Sequence, residues 1–531
     1  MNDKSLPKFV RDKIRLADNG DIYSSFTVAN YYIDNKTLDY DIEKSNYYFS
    51  KVSEELCNAD FRVKELSVFD YKRFKKTIFS LPKNNTIVLI GNNGSGKSTI
   101  LEAIAKNLQF LSDNIRIKNN NNYKFHESEI NVESKYGYSI IKCDLEVNNK
   151  YIFSCSLAKN YENIARRVSS ELEQFKALGG MLQESDKLKG DNFGYPLLAY
   201  YPVERSITIK REDLIKKQEN KNKKSSFNKI SGHNKAFDGT SNFDIFFTWF
   251  KNADDILNEH KAKNSISADE IKAALEKLEP GEDINLVLKA LMSNDDSIDE
   301  IYKSNLLNQI EIVVKAIKIF LSDISDVGIN RLPSLDMFVV KNNQKLSVFN
   351  LSQGEKTLLA LVSDIARRLV ILNPNLDNPL NGKGIVIIDE LDLHLHPKWQ
   401  QSIIGNLEKT FPNLQFIIST HSPLILTTVT AEQIKILEED YVSSPDTNPY
   451  GKVSAEGLAI MDTPEKPRLT DNISEMLNTY EELVKSGQEE SLQACNIKND
   501  IEATGYTIDE SQLELWRFIA CNADLFSDEG E

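Results

Sequence analysis

The chain has 531 residues, enough for about two to four structural units, and carries 64 Lys and Arg against 79 Asp and Glu, a net charge of −15. That balance excludes a surface that is basic throughout, as a general nucleic-acid binder needs, and leaves room only for a local basic patch. Five scattered cysteines without a C-x-x-C pair fit a reducing compartment better than a disulfide framework. The N-terminus leads into no apolar signal segment, and no run approaches the ~18 apolar residues that span a bilayer. A soluble, cytoplasmic chain with no membrane contact is expected.

Residues 1–58 read as helical. One apolar cluster holds Phe26, Val28, Ala29, Tyr31 and Tyr32; a second holds Ile42, Tyr47, Tyr48 and Phe49, with the acidic turn Leu38-Asp39-Tyr40-Asp41 between them. The expected unit is a helical hairpin. The pattern Ala29, Tyr32, Asp41, Lys44-Ser45 and Tyr48 resembles a single Sel1-type repeat. A lone repeat cannot bury both its faces, so it must pack on the next domain or on a partner.

Residues 59–205 read as a first lobe. Arg62–Val68 alternates with period two, and Tyr71-Lys72-Arg73-Phe74 reads as a second strand. The apolar run Ile87–Ile90 enters Gly91-Asn92-Asn93-Gly94-Ser95-Gly96-Lys97-Ser98-Thr99, and a helical pattern leaves it (Ile100, Leu101, Ala103, Ile104). This is G-x-x-x-x-G-K-S, a P-loop. Its glycines let backbone N–H groups wrap a phosphate, and the following helix points its N-terminal dipole at the same anion. Asn92 to Thr99 are therefore candidate ATP contacts. Lys97 reaches the β- and γ-phosphates, and Ser98 offers a hydroxyl to Mg²⁺. Asn119–Asn122 is a polar loop, Tyr138–Val147 and Tyr151–Ser156 alternate, and a buried strand, Pro196–Tyr201, ends in Pro202-Val203-Glu204-Arg205.

Residues 206–330 read as a connector and an inserted helical subdomain. The stretch 208–235 holds nine basic and three acidic residues, a candidate nucleic-acid contact or simply a solvated loop. An aromatic block, Phe243–Phe250, is expected to be buried. Helical patterns over 252–322, broken at Pro280-Gly281, carry no sustained heptad, which excludes a long coiled-coil arm. Residues 331–435 return to strand character at Met337–Val340, Leu346–Val348, Ile385–Ile388 and Phe416–Ile418. Fully apolar strands alternating with helices mean a mostly parallel α/β core. Residues 436–531 become helical and acidic.

Three further motifs lie in the second lobe. Leu351-Ser352-Gln353-Gly354-Glu355-Lys356 opens a helix, placing Ser352 and Gly354 where a helix dipole favours an anion; the same residues could also serve simply as a helix cap. In Ile385-Val386-Ile387-Ile388-Asp389-Glu390, two carboxylates leave the C-terminal end of a buried strand, where ligands bind in open α/β sheets. Asp389 suits Mg²⁺, and Glu390 suits a general base toward the attacking water. In Ser419-Thr420-His421-Ser422-Pro423, His421 is placed to contact a γ-phosphate. His394 and His396 have a metal-like spacing, but no Cys or further His lies near in sequence, and a structural loop is the preferred reading.

The order P-loop, Ser352–Glu355, Asp389-Glu390 and His421 resembles that of ABC-type ATPases. The resemblance implies a head with an antiparallel β lobe, an inserted helical subdomain and helical extensions at both ends. It also implies that Ser352, Gln353, Gly354 and Glu355 form a signature sequence, which caps ATP held by the P-loop of a second copy in a head-to-tail dimer. His421 is then the switch histidine, and Asp392 the aspartate that crosses the dimer interface. No Q-loop residue stands out, Glu129 and Asn131 being the nearest candidates.

Asp389–Gln400, Phe411-Pro412-Asn413 and Ser419–Pro423 further resemble the defence-associated branch of these ATPases, which includes overcoming-lysogenization-defect nucleases and the Septu ATPases, PtuA. The Tyr200–Arg205 and Phe243–Phe250 blocks and the Sel1-like hairpin are similar to Septu ATPases encoded with retron reverse transcriptases. That family implies a separate HNH nuclease partner (PtuB), a reverse transcriptase and its RNA–DNA product, with the acidic C-terminal helices as the candidate docking surface. No Asp-x-Asp cluster and no histidine follows His421, so no familiar nuclease is expected in this chain. The alternatives are a RecF-like clamp on DNA in repair and a scaffold that binds ATP but turns it over poorly.

Overall fold

The computed structural model describes residues 6–164, 167–203, 228–238, 242–264, 297–332, 334–438, 441–461 and 471–522. Glu204, Arg205, most of the basic 208–235 stretch and the Pro280-Gly281 break lie outside them. The chain divides into two compact units, Met1–Met461 and Asp462–Glu531.

The first unit is built on a six-stranded sheet. In spatial order its strands are β13 (Val442–Ser443), β12 (Ile434–Leu437), β3 (Thr86–Ile90), β11 (Leu414–Ser419), β10 (Gly384–Ile388) and β6 (Leu197–Tyr201). The last four are almost wholly apolar and fully buried, as the sequence predicts for strands covered on both faces. They and β12 run parallel, with only the edge strand β13 antiparallel. Register sets Ile388 beside Ile418 and Tyr201, and Ser419 beside Leu89. Neighbouring strands lie about 4.8 Å apart, so the loops leaving β3, β11 and β10 emerge side by side.

A four-stranded antiparallel sheet forms the second layer, with β2 (Phe74–Ser80) at one edge, then β1 (Phe61–Tyr71), β4 (Tyr138–Val147) and β5 (Tyr151–Asn160). β1 and β2 are one hairpin, so Lys72-Arg73 is its turn rather than part of a strand. Gln415, buried on β11, ties the two layers: its amide accepts from Val63 N–H at 2.8 Å and donates to Val63 C=O at 3.2 Å. A third sheet joins β7 (Ile324–Asn330), β8 (Asp336–Lys341) and β9 (Gln344–Ser347), so strand pairing runs across the expected 330/331 boundary.

Helix α4 (Lys97–Arg116) leaves the P-loop and packs against α5 (Glu173–Lys189), which sequence periodicity does not single out. The contact is close because it is made by glycine: a Cβ on Gly179 would lie 2.9 Å from the Asn114 backbone carbon. Gln183 then donates to the Asn114 and Ile115 carbonyls at 3.0 and 2.9 Å, satisfying groups at the C-terminal end of α4. The N-terminal region holds three helices rather than a hairpin alone: α1 (Lys8–Asp18), α2 (Ile22–Asp34) and α3 (Ile42–Leu56). Asp21 and Asp41 cap α2 and α3, and Phe26 and Phe49 meet at 5.8 Å between them. As a lone repeat must, this module packs onto its neighbour, with Phe26 seated over Gly180 of α5.

The aromatic block opens α6 (Asn242–Asn264), with Phe243, Phe246, Phe247, Trp249 and Phe250 all buried. Helix α7 (Ser297–Phe320) precedes β7, and α8 (Gln353–Leu372) runs through the core, buried along nearly its whole length. The second unit has its own core of Tyr480, Val484, Ala494, Ile501, Leu513 and Trp516, contributed by α9 (Asp471–Lys485), α10 (Leu492–Ala503) and α11 (Glu510–Cys521). Among the described residues no helix is long and apolar enough to cross a membrane.

Candidate functional site

The side-by-side loops at the C-terminal edge of the central sheet enclose a cavity of about 270 Å³. Its walls include Asn93, Gly94, Gly96, Lys97, Ser98 and Thr99 of the P-loop, Asp389 and Glu390 after β10, and His421 after β11. Residues far apart in the chain are thus brought together by strand adjacency alone.

The P-loop is wrapped tightly. Gly96 sits at φ +99°, and a Cβ there would run into the Phe74 ring, so this position requires glycine for both conformation and space. Phe74 belongs to the β1–β2 hairpin, whose turn places Lys72 and Arg73 on the cavity wall. Sequence reasoning does not single out either one; the available signal is a Lys-Arg pair between two alternating runs. Lys72 is anchored by an ion pair to Glu102 of α4. Lys97 is buried, and its ammonium donates to the Gly91 and Asn92 carbonyls at 2.8 and 3.2 Å. Burial pushes its pKa down, opposed by the negative charge of Asp389, Glu390 and Asp392. A buried cation resting on loop carbonyls, facing carboxylates across a cavity, is poised to exchange those carbonyls for phosphate oxygens. Asn92 and Ser95 do not line the cavity. Asn92 C=O accepts from Ser95 N–H at 3.0 Å, and the Ser95 side chain is turned inward.

The two carboxylates are organised by Ser419, a residue to which sequence reasoning gives no role. Its hydroxyl donates to Asp389 Oδ1 and accepts from Glu390 N–H at 2.8 Å. Asp389 N–H donates to Tyr201 C=O at 2.9 Å, fixing it to β6. Glu390 has φ +47°, a left-handed conformation that costs a non-glycine residue about 1–2 kcal/mol. Strain of this kind persists where surrounding contacts hold it, and the Ser419 hydroxyl does so. Asp392 is engaged within its own chain: Oδ1 accepts from Thr420 Oγ1 at 2.5 Å and from His421 N–H at 3.1 Å, bracing the histidine loop.

Ser352, Gln353, Gly354 and Glu355 do not line the cavity. Ser352 caps α8 in a capping box, donating to Glu355 Oε2 at 2.6 Å while Glu355 N–H returns a bond at 3.3 Å. Burial pushes the Glu355 carboxyl up, but hydrogen bonds from Lys341 and Ser352 outweigh it and hold it below its usual value. Gly354 is pressed against the loop after β10: a Cβ there would lie 2.5 Å from the His394 carbonyl. In that loop His396 Nδ1 accepts from Lys398 N–H at 3.3 Å and caps the short helix Pro397–Gln400, a structural task rather than metal ligation. Ser352 and Gln353 are both exposed at the start of the motif, whereas Gly354 and Glu355 are buried behind them. Glu129 and Asn131 also lie off the cavity. Glu129 ion-pairs with Lys106 at 3.1 Å, and Asn131 N–H donates to Asp70 C=O at 2.8 Å.

The residues fit a nucleotide and its cation. Left-handed glycines leave a cradle that side chains would fill, and Lys97 supplies positive charge at its floor. Among the described residues no group of three or more His, Cys, Asp or Glu could hold a metal by itself. Mg²⁺ at a nucleotide does not need one, since phosphates and water complete its shell beside one or two protein ligands. Ser98 and Asp389, both on the cavity wall, are the residues that would hold it. Lys97→Ala is expected to abolish ATP binding, weakening it at least about 100-fold, the scale on which removing a charge-assisted hydrogen bond from a buried site acts. Equilibrium binding of a fluorescent ATP analogue measures this, and near-normal affinity would remove Lys97 from the site.

Two family models match: "ABC transporter" over residues 74–185, and "AAA domain, putative AbiEii toxin, Type IV TA system" over residues 182–427. Among curated relatives, the Retron Vc95 probable ATPase of Vibrio cholerae serotype O1 biovar El Tor is 55% identical over 503 residues, covering 93% of this chain and 97% of the relative. The Retron Ec83 probable ATPase of Escherichia coli is 33% identical over 540 residues, covering 97% of each. The Septu protein PtuA of Bacillus mycoides (strain KBAB4) is 30% identical over 160 residues, 28% of this chain and 21% of that protein. The SMC head domain from Thermotoga maritima superposes at a TM-score of 0.35 and 13% identity, over 73% of this chain and 100% of that one, too loosely for anything to rest on it. At this identity and near-complete mutual coverage, the chain belongs to the family of retron ATPases, built on an ABC-type nucleotide-binding head.

Proposed function

We propose that this ATPase binds ATP with Mg²⁺, closes head-to-tail with a second copy around two nucleotides, and uses that assembly to control a partner nuclease in defence against phage. The observation that carries the proposal is the division of the motifs. P-loop, Asp389, Glu390 and His421 converge on one cavity, while Ser352 and Gln353 lie away from it, with Gln353 exposed. A second copy supplies the missing wall. Ser98 and Asp389 would hold Mg²⁺, which would supply positive charge against the phosphates. Glu390 accepts a proton from the attacking water, and His421 contacts the γ-phosphate. The partner is a nuclease of the HNH class, together with a reverse transcriptase and its RNA–DNA product. The second unit, with 17 acidic residues against five basic ones over 462–531, is the docking surface for a basic partner.

Mixing separates the shared site from a self-contained one. Lys97→Ala and Ser352→Arg chains are each expected to be inactive alone. In a verified heterodimer one of the two sites receives an intact P-loop and an intact Ser352, so turnover returns. No recovery would overturn the shared site.

A further inference from the structure

We propose that the outer face of the four-stranded sheet is a stacking platform for the unpaired bases of a single-stranded nucleic acid. One face of this sheet is closed by the core, through Leu66, Val68, Phe79, Ile141 and Cys143. The other carries aromatic rings. Phe69 lies directly opposite Lys76 on one side and Ile140 on the other, so these side chains share a face, and Tyr138 joins them two residues from Ile140. The Phe69 and Tyr138 rings stack, with centroids 5.5 Å apart and planes 29° apart. Tyr136, in the loop entering β4, closes a triangle at 5.7 and 5.9 Å. Tyr136 is 61% exposed and Ile78, on the same face, 56%.

Charge selects the occupant. Of the acids on this face, Glu133 is matched by Lys75 at 2.8 Å and Asp144 by Lys142 at 3.4 Å, while Glu65, four residues along β1 from Phe69, accepts from Ser80 Oγ at 3.0 Å. Lys76, beside Phe69, and Lys135, beside Tyr136, have no carboxylate partner among the described residues. A chain with a net charge of −15 thus presents a cluster of open rings bordered by uncompensated cations. An apolar protein segment would use the rings and leave the lysines idle. A polyanion whose units carry flat π-faces uses both, and stacking on rings needs bases that are unpaired. The patch contains no residue of the nucleotide cavity, so it stands apart from the proposed ATP chemistry.

The test is fluorescence anisotropy of a labelled oligothymidylate of about 16 nucleotides, and of the same length as duplex, with the full chain. Single strand is expected to bind more tightly than duplex. Tyr136→Ala is expected to weaken it about 5- to 150-fold, as the loss of one stacked base does, while Tyr136→Phe keeps affinity. Lys76→Ala with Lys135→Ala should flatten the salt dependence, lowering its logarithmic slope by about 1.4. ATP turnover in Tyr136→Ala should be unchanged, which distinguishes failure here from failure of the ATPase reading. Tyr136 is exposed, so this variant folds even where truncation of Phe69 or Tyr138 does not. The proposal is overturned if wild type does not bind the single strand, if duplex binds better, or if Tyr136→Ala binds the strand as wild type does. It is equally overturned if Tyr136→Ala loses self-association or protein binding while strand binding stays intact.

Discussion

Glu390→Gln is expected to lower ATP turnover by about 10²–10⁴-fold while leaving ATP bound. The two neighbouring carboxylates differ in what holds them. Asp389 is buried, tied to β6 through its N–H and to Ser419 through its side chain. That suits a fixed electrostatic role beside a cation. Glu390 is half-buried on the cavity wall, held out by a strained backbone whose N–H is fixed by Ser419. That suits a group that must meet a water molecule and take its proton. Gln keeps the shape and removes the basicity, so binding and proton transfer come apart. Phosphate release in steady state measures one, and retention of a fluorescent ATP analogue the other. Turnover at the wild-type rate would move the base elsewhere, with His421 the next group on the wall. Ser419→Ala offers a milder companion, because it frees both carboxylates without removing either.

Much of this site is legible in the sequence because it is made of local signals. A P-loop, two acids after an apolar strand and a histidine after another each announce themselves within a few residues. Parallel strand order then brings them together. Ser419 is less legible because its role is relational: only the β10–β11 pairing shows it beside Asp389 and Glu390. Lys72 and Arg73 are hidden by period-two alternation that runs into the turn, masking a hairpin as continuous strand. Helix α5 is hard to see because its inner face includes Gly179 and Gly180, weak helix formers placed there for close packing against α4 and Phe26. The short strand β7 follows a long helical pattern, and its exposed Asp326 and half-buried Gly328 dilute the strand signal. Propensity loses in each case to a tertiary contact that a single sequence does not display.

The same holds for the charges in the middle of α8. Asp364, Arg367 and Arg368 are charged, yet all three are buried. Arg367 donates to Asp364 Oδ1 at 2.7 Å, and Arg368 and the Tyr201 hydroxyl donate to Oδ2 at 2.7 and 2.9 Å. Arg368 also reaches the Gly232 and Asn234 carbonyls at 2.7 and 3.0 Å. Burial pushes the Asp364 carboxyl up, but the two guanidiniums outweigh it and hold it below its usual value. Its contribution is therefore present at neutral pH and is lost only as acid takes the pH below the unfolded value and through the folded one. Asp364→Asn leaves two buried cations with no counter-charge, a loss of about 3–5 kcal/mol. Urea unfolding should show it as a lower midpoint, and replacing all three by Leu, Met and Met should recover most of it, since apolar residues of similar volume often substitute for a buried ionic cluster without cost. A wild-type midpoint in Asp364→Asn would mean that the cluster is not what fixes the helix. The consequence reaches the ATP site. Tyr201 holds Asp364 through its hydroxyl and Asp389 through its carbonyl, so one residue joins the helix capped by Ser352 to a carboxylate of the cavity wall. In the proposed dimer, Asp364→Asn should accordingly keep ATP binding at Lys97 and lose turnover, because the Ser352 end of the helix is no longer set against its own Asp389.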